Sequence, residues 1–354
     1  MLVLRGFHHP AIAPACALTI GNFDGVHRGH QAMLALLNAE AAQRGVPSCV
    51  LTFEPHPRDY FAAALHKPEL APARVGTLRD KLSELARFGV QQTVVLRFDA
   101  ALAGQTPETF INDVLVRGLG ARYVLVGDDF RFGRQRAGDY RLLAQAGQQR
   151  GFDVARMNSY EITYPQASTN AAEPVRVSSS EVRAALAAGR MDDAAQLLGR
   201  PYAISGHVVH GRKLGRALGE ASSGAGDGFR TLNLRFAHWK PAASGIFAVW
   251  VHGLAAEALP GVANLGIRPS LDPRDVNGGR VLLETHCLEW PEHLGAEGAY
   301  GKIIRVELMH KLHDELRYDS LGALTAGIAR DCADARAWFA AHAETRRQTT
   351  RDRI

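Results

Sequence analysis

With 354 residues, 46% of them hydrophobic and 22% charged, the chain has room for two cores and the composition of an ordinary soluble enzyme. No apolar run approaches the length of a membrane span, and residues 1–14 lack the basic start, long apolar stretch and small-residue cleavage site of a secretory signal, so a cytoplasmic protein with no membrane partner is expected. A net charge of +5 suits anionic ligands such as nucleotides, whereas the interleaving of bases with acids outside the tail 346–353 argues against nucleic acid.

Up to about residue 157, strand and helix patterns alternate. Apolar strand candidates cover 17–20, 48–53, 93–98, 123–126 and 152–157. Helical patterns cover 31–43, 78–88, 107–116 and 140–149, and Thr106-Pro107 is an N-cap followed by proline at the first helical position. Such alternation predicts a parallel sheet covered on both faces, with ligands at the carboxyl ends of its strands. The polar punctuation falls at those ends: 21–30, 54–57 and 127–133. Two short helices around Gly189 lie within 180–198 and carry the join.

From about residue 199 the pattern changes. Strand-like runs at 203–209, 231–236, 245–252, 261–266, 280–288 and 302–308 follow one another without helices, which reads as an antiparallel barrel or sandwich. Residues 321–340 close the chain with a helical pattern, and the polar tail 346–354 is expected to be disordered. Cys16, Cys49, Cys287 and Cys332 are far apart with no Cys-x-x-Cys, so buried free thiols in a reducing compartment are expected.

The chemistry concentrates in Gly21-Asn22-Phe23-Asp24-Gly25-Val26-His27-Arg28-Gly29-His30. An apolar strand runs into a glycine-bearing turn, and two imidazoles stand where the next helix begins. A helix N-terminus offers unpaired N–H groups and positive dipole, so phosphate is the natural guest. The stretch is neither a P-loop nor a Gly-x-Gly-x-x-Gly turn; imidazoles in place of the P-loop lysine suggest attack at a nucleotide's α-phosphorus. Spacing alone also allows a zinc pair or two surface histidines, although the other histidines show no companion metal spacing.

A second anion-binding candidate is Arg176-Val177-Ser178-Ser179-Ser180-Glu181-Val182-Arg183, in which serines at a helix start and an arginine one turn on can meet one phosphate; an ordinary serine-capped helix has the same pattern. Glu54-Pro55-His56-Pro57 also reads as a proline-stiffened turn, and Phe130 and Phe132, beside Asp129, as core plugs or ligand-flanking rings. Further on, Thr231 and Asn233 stand two apart in a strand and so face one side, which also suits a solvent face.

The stretch Gly-Asn-Phe-Asp-Gly-Val-His-Arg-Gly-His resembles the His-x-Gly-His signature of the nucleotidyltransferase superfamily, and its wording is closest to the bacterial bifunctional riboflavin kinase/FAD synthetase family. The resemblance implies an α/β Rossmann-like nucleotidyltransferase domain over 1–186, then an antiparallel β-barrel riboflavin kinase domain with a C-terminal helix over 187–345. It implies that His27 and His30 are catalytic and that Gly21, Asn22, Phe23, Asp24, His56, Asp129, Arg176, Ser179, Ser180 and Arg183 bind ATP or flavin in the first domain.

In the second half the resemblance runs through 206–216, 231–234, 245–249, 261–269, 283–286 and 300–302. It implies phosphate or flavin contacts from Gly211, Arg212, Lys213, Gly215, Arg216, Asn264 and Arg268, magnesium at Thr231 and Asn233, and Glu284 as the base that takes the riboflavin 5′-hydroxyl proton. The implied chemistry is phosphorylation of riboflavin to FMN with ATP, then adenylylation of FMN to FAD with a second ATP, magnesium neutralising the triphosphate. The expected partners are these small molecules, and the expected state is a monomer or weak homo-oligomer. Two departures stand out. A Gly/Ser-rich insertion, 220–229, precedes Thr231, and Arg230 occupies the usual proline position; His313 stands where arginine is common. A nucleotidyltransferase with another acceptor, and a regulatory flavin-binding C-terminal half, are the rival readings.

Overall fold

The computed structural model describes residues 1–165, 172–210, 230–235, 240–268, 280–295 and 297–342. They form two units: the described parts of 1–72, 80–165 and 171–179, and those of 73–79 together with the chain from 180 onward.

In the first unit, β1 (Leu2–Arg5), β2 (Cys16–Ile20), β3 (Ser48–Glu54), β4 (Gln92–Arg97), β5 (Ala121–Gly127) and β6 (Asp153–Met157) form one sheet in the order β1-β4-β3-β2-β5-β6. Every pairing is parallel. Connecting them are α1 (Arg28–Gln43), α2 (Pro57–Ala64), α3 (Leu78–Arg87), α4 (Ala100–Ala103), α5 (Pro107–Thr109, widening into π-type turns over Phe110–Gly118) and α6 (Tyr140–Arg150).

Strand alternation supplies both faces of the sheet. Leu18, Cys49, Leu51, Val94, Val124 and Val126 pack with Phe110, Ile111, Val114 and Leu143 on one side. On the other, Val50 packs with Leu34 of α1 and Leu85 of α3, and Ala17, Tyr123 and Leu125 with Leu37 and Ala41 of α1. The expected two-faced parallel sheet is the one found. The strand order turns back at β2, between β3 and β5, and a ligand crevice belongs at the carboxyl end of such a switch point.

Outside the sequence expectation lie β1, α2, α4 and the antiparallel pair β7 (Glu161–Pro165) and β8 (Ala172–Arg176). Helix α2 starts where the proline-stiffened turn 54–57 ends. His56 is its N-cap and Pro57 stands in its first turn, where a missing N–H costs nothing.

α7 (Ser179–Ala187) and α8 (Met191–Leu198) flank Gly189, whose φ of 71° turns the chain between them. Then β9 (Tyr202–Val209), β10 (Thr231–Arg235), β11 (Gly245–His252), β12 (Leu259–Arg268), β13 (Arg280–Cys287) and β14 (Ile303–His313) close into a barrel in the order β10-β13-β12-β11-β14-β9. All its pairings are antiparallel, β9 with β10 included. Phe247, Val249, Val251, Leu234, Leu265 and Leu283 fill the interior. α9 (Leu321–Ala341) packs Cys332 and Ala335 on Ile246, Ala248 and Val262 of the outer face. Within this unit the segment 73–79 runs beside the barrel: Arg74 N donates to Lys240 O at 3.1 Å and Ala242 N to Arg74 O at 3.2 Å.

Candidate active sites

At the end of β2 the chain enters a turn that a typical L-residue resists: Phe23, Gly25 and Val26 have φ of 47°, 84° and 41°. Burial holds it there. Phe23 is 1% exposed and Val26 fully buried, in a cluster with Leu34, Val50, Leu85 and Val90. Gly21 N donates to Leu51 O at 3.0 Å, and the Thr52 hydroxyl donates to Asn22 O at 3.4 Å. Asn22 Oδ1 is buried with no donor among the described residues, an acceptor without a native partner.

His27 is the N-cap of α1: its Nδ1 accepts from His30 N at 3.3 Å, which puts the imidazole proton on Nε2. His30 stacks on it at 3.7 Å between centroids and 17° between planes, with the Phe23 ring 4.7 Å away. Burial, the neighbouring His27 and the Lys81 ammonium together hold His30 well below the ordinary histidine range, so it is neutral at pH 7. Its Nδ1 is buried with no partner among the described residues. Gly29 lets the chain pack closely: a Cβ there would sit 3.3 Å from the His27 ring and from Val177 O, tighter than an ordinary contact.

Ser179, the first residue of α7, donates its hydroxyl to Asp24 O at 2.9 Å, so the serine motif meets the histidine turn. Ser180 is exposed. Arg183 donates Nε to Ala73 O at 2.6 Å, and Arg176 pairs with Asp128 at 3.2 Å. Ser159 Oγ donates to the other Asp128 oxygen at 2.5 Å, and that hydroxyl with the Arg176 charge holds the Asp128 carboxyl below its usual range. Asp129, the candidate of that loop, is exposed; Phe132 is buried in the core and Phe130 half-buried against it. His56 is 5% exposed, and its Nδ1 accepts from Arg58 N at 3.1 Å.

On the barrel, register assembles the second site. Glu284 lies opposite Asn233 of β10 and opposite Asn264 of β12; in the next row Thr231 faces His286, which faces Val262. Directly opposed residues share a face, and Val262 under α9 identifies it as the outer one. Asn233 is 2% exposed and donates Nδ2 to Thr231 O at 3.3 Å. The Oδ1 atoms of Asn233 and Asn264 are buried with no donor among the described residues. The orphaned Asn233 Oδ1, on the same strand face as the Thr231 hydroxyl, gives hard oxygens of the kind magnesium accepts alongside substrate phosphates. A Cβ on Gly266 would collide with the Glu315 carboxylate, so that acid also approaches this face.

Arg230 is held at this site. Its guanidinium lies 5.5 Å from the Trp290 ring centre and donates to Gly295 O at 3.4 Å, while its own carbonyl accepts from His286 Nδ1 at 2.9 Å. Gly211, Arg212, Lys213, Gly215, Arg216 and the insertion 220–229 lie outside the described residues, and Arg268 ends β12. Sequence reasoning missed Thr52, Lys81, Trp290 and Glu315. Among the described residues no group of three or more His, Cys, Asp or Glu gathers as a metal cluster, so the zinc reading of His27 and His30 gains no third ligand.

A switch-point phosphate turn on one unit and an acid–amide row on a closed barrel define a two-site nucleotide-handling enzyme. The family model for FAD synthetase matches residues 9–171, and that for riboflavin kinase matches 198–339. The chain is 42% identical to the bifunctional riboflavin kinase/FMN adenylyltransferase of Escherichia coli over 96% of its length and 98% of the relative's. It is 39% identical to that of Pseudomonas fluorescens (95% and 97% covered) and 36% identical to that of Haemophilus influenzae (96% and 99%). The chain belongs to the bifunctional riboflavin kinase/FMN adenylyltransferase family. A solved structure described as a macrolide-efflux protein from Streptococcus pneumoniae superposes with a TM-score of 0.70 at 23% identity, covering 96% of this chain and all of that one, a likeness of fold alone.

Proposed function

We propose that the chain makes FAD in two steps: residues 187–345 phosphorylate riboflavin with ATP, and residues 1–186 transfer AMP from a second ATP to the FMN so formed, releasing pyrophosphate. The observation that carries this is the presence in one chain of the stacked His27–His30 pair at a helix N-terminus and the Asn233–Glu284–Asn264 row.

In the first reaction domain no protein nucleophile is needed, because the FMN phosphate itself attacks the α-phosphorus of ATP. The work is alignment and charge neutralisation. Nε2–H of His27, the N-terminal N–H groups of α1 and the Asn22 amide meet the phosphates, and His30 stabilises the charge that grows as the bond to pyrophosphate breaks. Ser179, Ser180, Arg176 and Arg183 draw in the triphosphate, and Gly21, Phe23, Asp24, His56 and Asp129 border nucleotide and flavin. On the barrel, Glu284 takes the 5′-hydroxyl proton as that oxygen attacks the γ-phosphorus, and the bond to the bridging oxygen breaks to release ADP. Thr231 and Asn233 would hold magnesium, whose charge would neutralise the triphosphate; Asn264, Arg268, Gly211, Arg212, Lys213, Gly215 and Arg216 supply the remaining phosphate and flavin contacts.

The enzyme works in the cytoplasm on small molecules, as a monomer or weak homo-oligomer, without nucleic acid or membrane. All four cysteines are buried free thiols, and among the described residues no helix is long and apolar enough to cross a membrane. An HPLC time course with riboflavin, ATP and magnesium tests the reading: FMN should rise and then convert to FAD. FAD from added FMN with no FMN from riboflavin would remove the kinase half of the proposal. No flavin product from either would return the first site to another acceptor.

A further inference from the structure

Lys81 is 4% exposed, although it lies on α3 among Arg79, Asp80 and Glu84. Lysine is almost never fully buried unless something fixes its charge there. Its Nζ donates to Thr52 Oγ1 at 3.3 Å, and that hydroxyl donates onward to Asn22 O at 3.4 Å. Thr52 is fully buried near the carboxyl end of β3. Leu85, one turn beyond Lys81, packs with Phe23 and Val26 under the strained turn. The helix thus delivers an ammonium through one hydroxyl to the backbone of the residue whose side-chain oxygen is left without a donor.

We infer that Lys81 is a further positioning residue of the adenylyl-transfer site, fixing the Asn22 turn through Thr52. The inference rests on the first-site reading above. Burial first, then His27 on the same turn and Lys81 from α3, hold His30 below the ordinary histidine range.

The riboflavin kinase activity of the same chain is an internal control for folding. In Lys81→Met, FMN adenylylation should fall by about 10- to 100-fold in kcat/KM for ATP, the scale of a misplaced reacting group, while riboflavin phosphorylation stays within about twofold. Lys81→Arg should restore most of the rate. Thr52→Val should lose less, and Lys81→Met combined with Thr52→Val should lose no more than Lys81→Met alone, as groups in series do. NMR of the His30 ring should show it titrating higher in Lys81→Met. Adenylylation unchanged in Lys81→Met, or a loss equal in the Arg variant with no change in the His30 titration, would overturn the inference. If the parent chain makes no FAD, the first-site reading fails separately, and the His30 titration still decides whether Lys81 governs the turn. If Lys81→Met does not fold, Thr52→Val against Thr52→Ser decides: equal adenylylation rates overturn the relay.

Discussion

Asn233 and Glu284 face each other across the β10–β13 pair, with Asn264 completing the row on β12. The carboxylate is therefore aimed by three strands of a closed barrel rather than by a loop, and its two amide neighbours present buried oxygens with no donor among the described residues. Glu284→Ala should reduce FMN formation by about 100- to 10,000-fold, the usual contribution of a positioned base. Added FMN should still be adenylylated at the parental rate. HPLC with riboflavin in one tube and FMN in another separates the two outcomes, and loss of both activities would mean that the substitution unfolds the chain.

His30 and His27 have different physical duties although their rings stack. His27 caps α1 with its Nδ1, so His27→Ala should also destabilise the first unit, by about 1 kcal/mol, the usual cost of a lost N-cap. His30 makes no cap. His30→Ala should leave thermal unfolding near the parent's while FAD formation drops about 100-fold or more, as removal of a transition-state donor does. FMN should accumulate. Because burial, His27 and Lys81 push the His30 pKa well below its ordinary value, its neutral form persists as the pH falls, and FAD formation should show no break from this residue near pH 6.5.

How much of this was readable beforehand follows from the range of the signals. The strand–turn–helix at Gly21–His30 is local, as is the alternation of β2 to β6, and the sequence expectation for both agrees with the fold. Lys81 was invisible because its neighbours Arg79, Asp80 and Glu84 look like a solvated face; only the packing of α3 under the turn buries it. The segment 73–79 lies in the sequence of the first half yet bonds to Lys240 and Ala242, a contact that no local pattern encodes. β1 escaped notice because it has only 4 residues, too few to show a period. Arg176 reads as a phosphate ligand on its own, and its partner Asp128 is 48 positions away.

Arg230 looked like a loss of rigidity ahead of Thr231, since it stands where the resembled pattern has proline. Instead the side chain is spread over Trp290 and bonded to Gly295 O, while its carbonyl is held by His286. Trp290 Nε1 donates to the same Gly295 carbonyl at 2.9 Å, which fixes the ring. Arg230→Ala and Trp290→Leu should each lower riboflavin phosphorylation several-fold, mainly through a raised magnesium or ATP requirement, because a partly exposed cation–π contact contributes about 0.5–1 kcal/mol. FMN adenylylation should not change. Equal kinase kinetics in both variants would show that the insertion side of Thr231 needs no clamp.

His313 ties the end of β14 to α9. Its Nε2 lies 2.9 Å from Asp331 Oδ1 and its Nδ1 2.7 Å from Asp314 O. Burial alone would lower its pKa, but the Asp314 carbonyl and the Asp331 and Asp334 carboxylates outweigh it and hold the imidazolium above the ordinary histidine range. A histidine whose folded pKa is raised stabilises the fold fully below its unfolded value, near 6.5, and that stabilisation fades as pH rises through the higher folded value. The melting temperature should therefore fall between slightly acid and slightly alkaline pH, with part of that slope belonging to this pair. In Asp331→Asn the carboxylate is gone, and the difference from the parent should be largest at acid pH and shrink toward alkaline pH. Melting curves of the two proteins at matched ionic strength measure it, and a difference independent of pH would place the Asp331 contribution in packing rather than in the His313 charge.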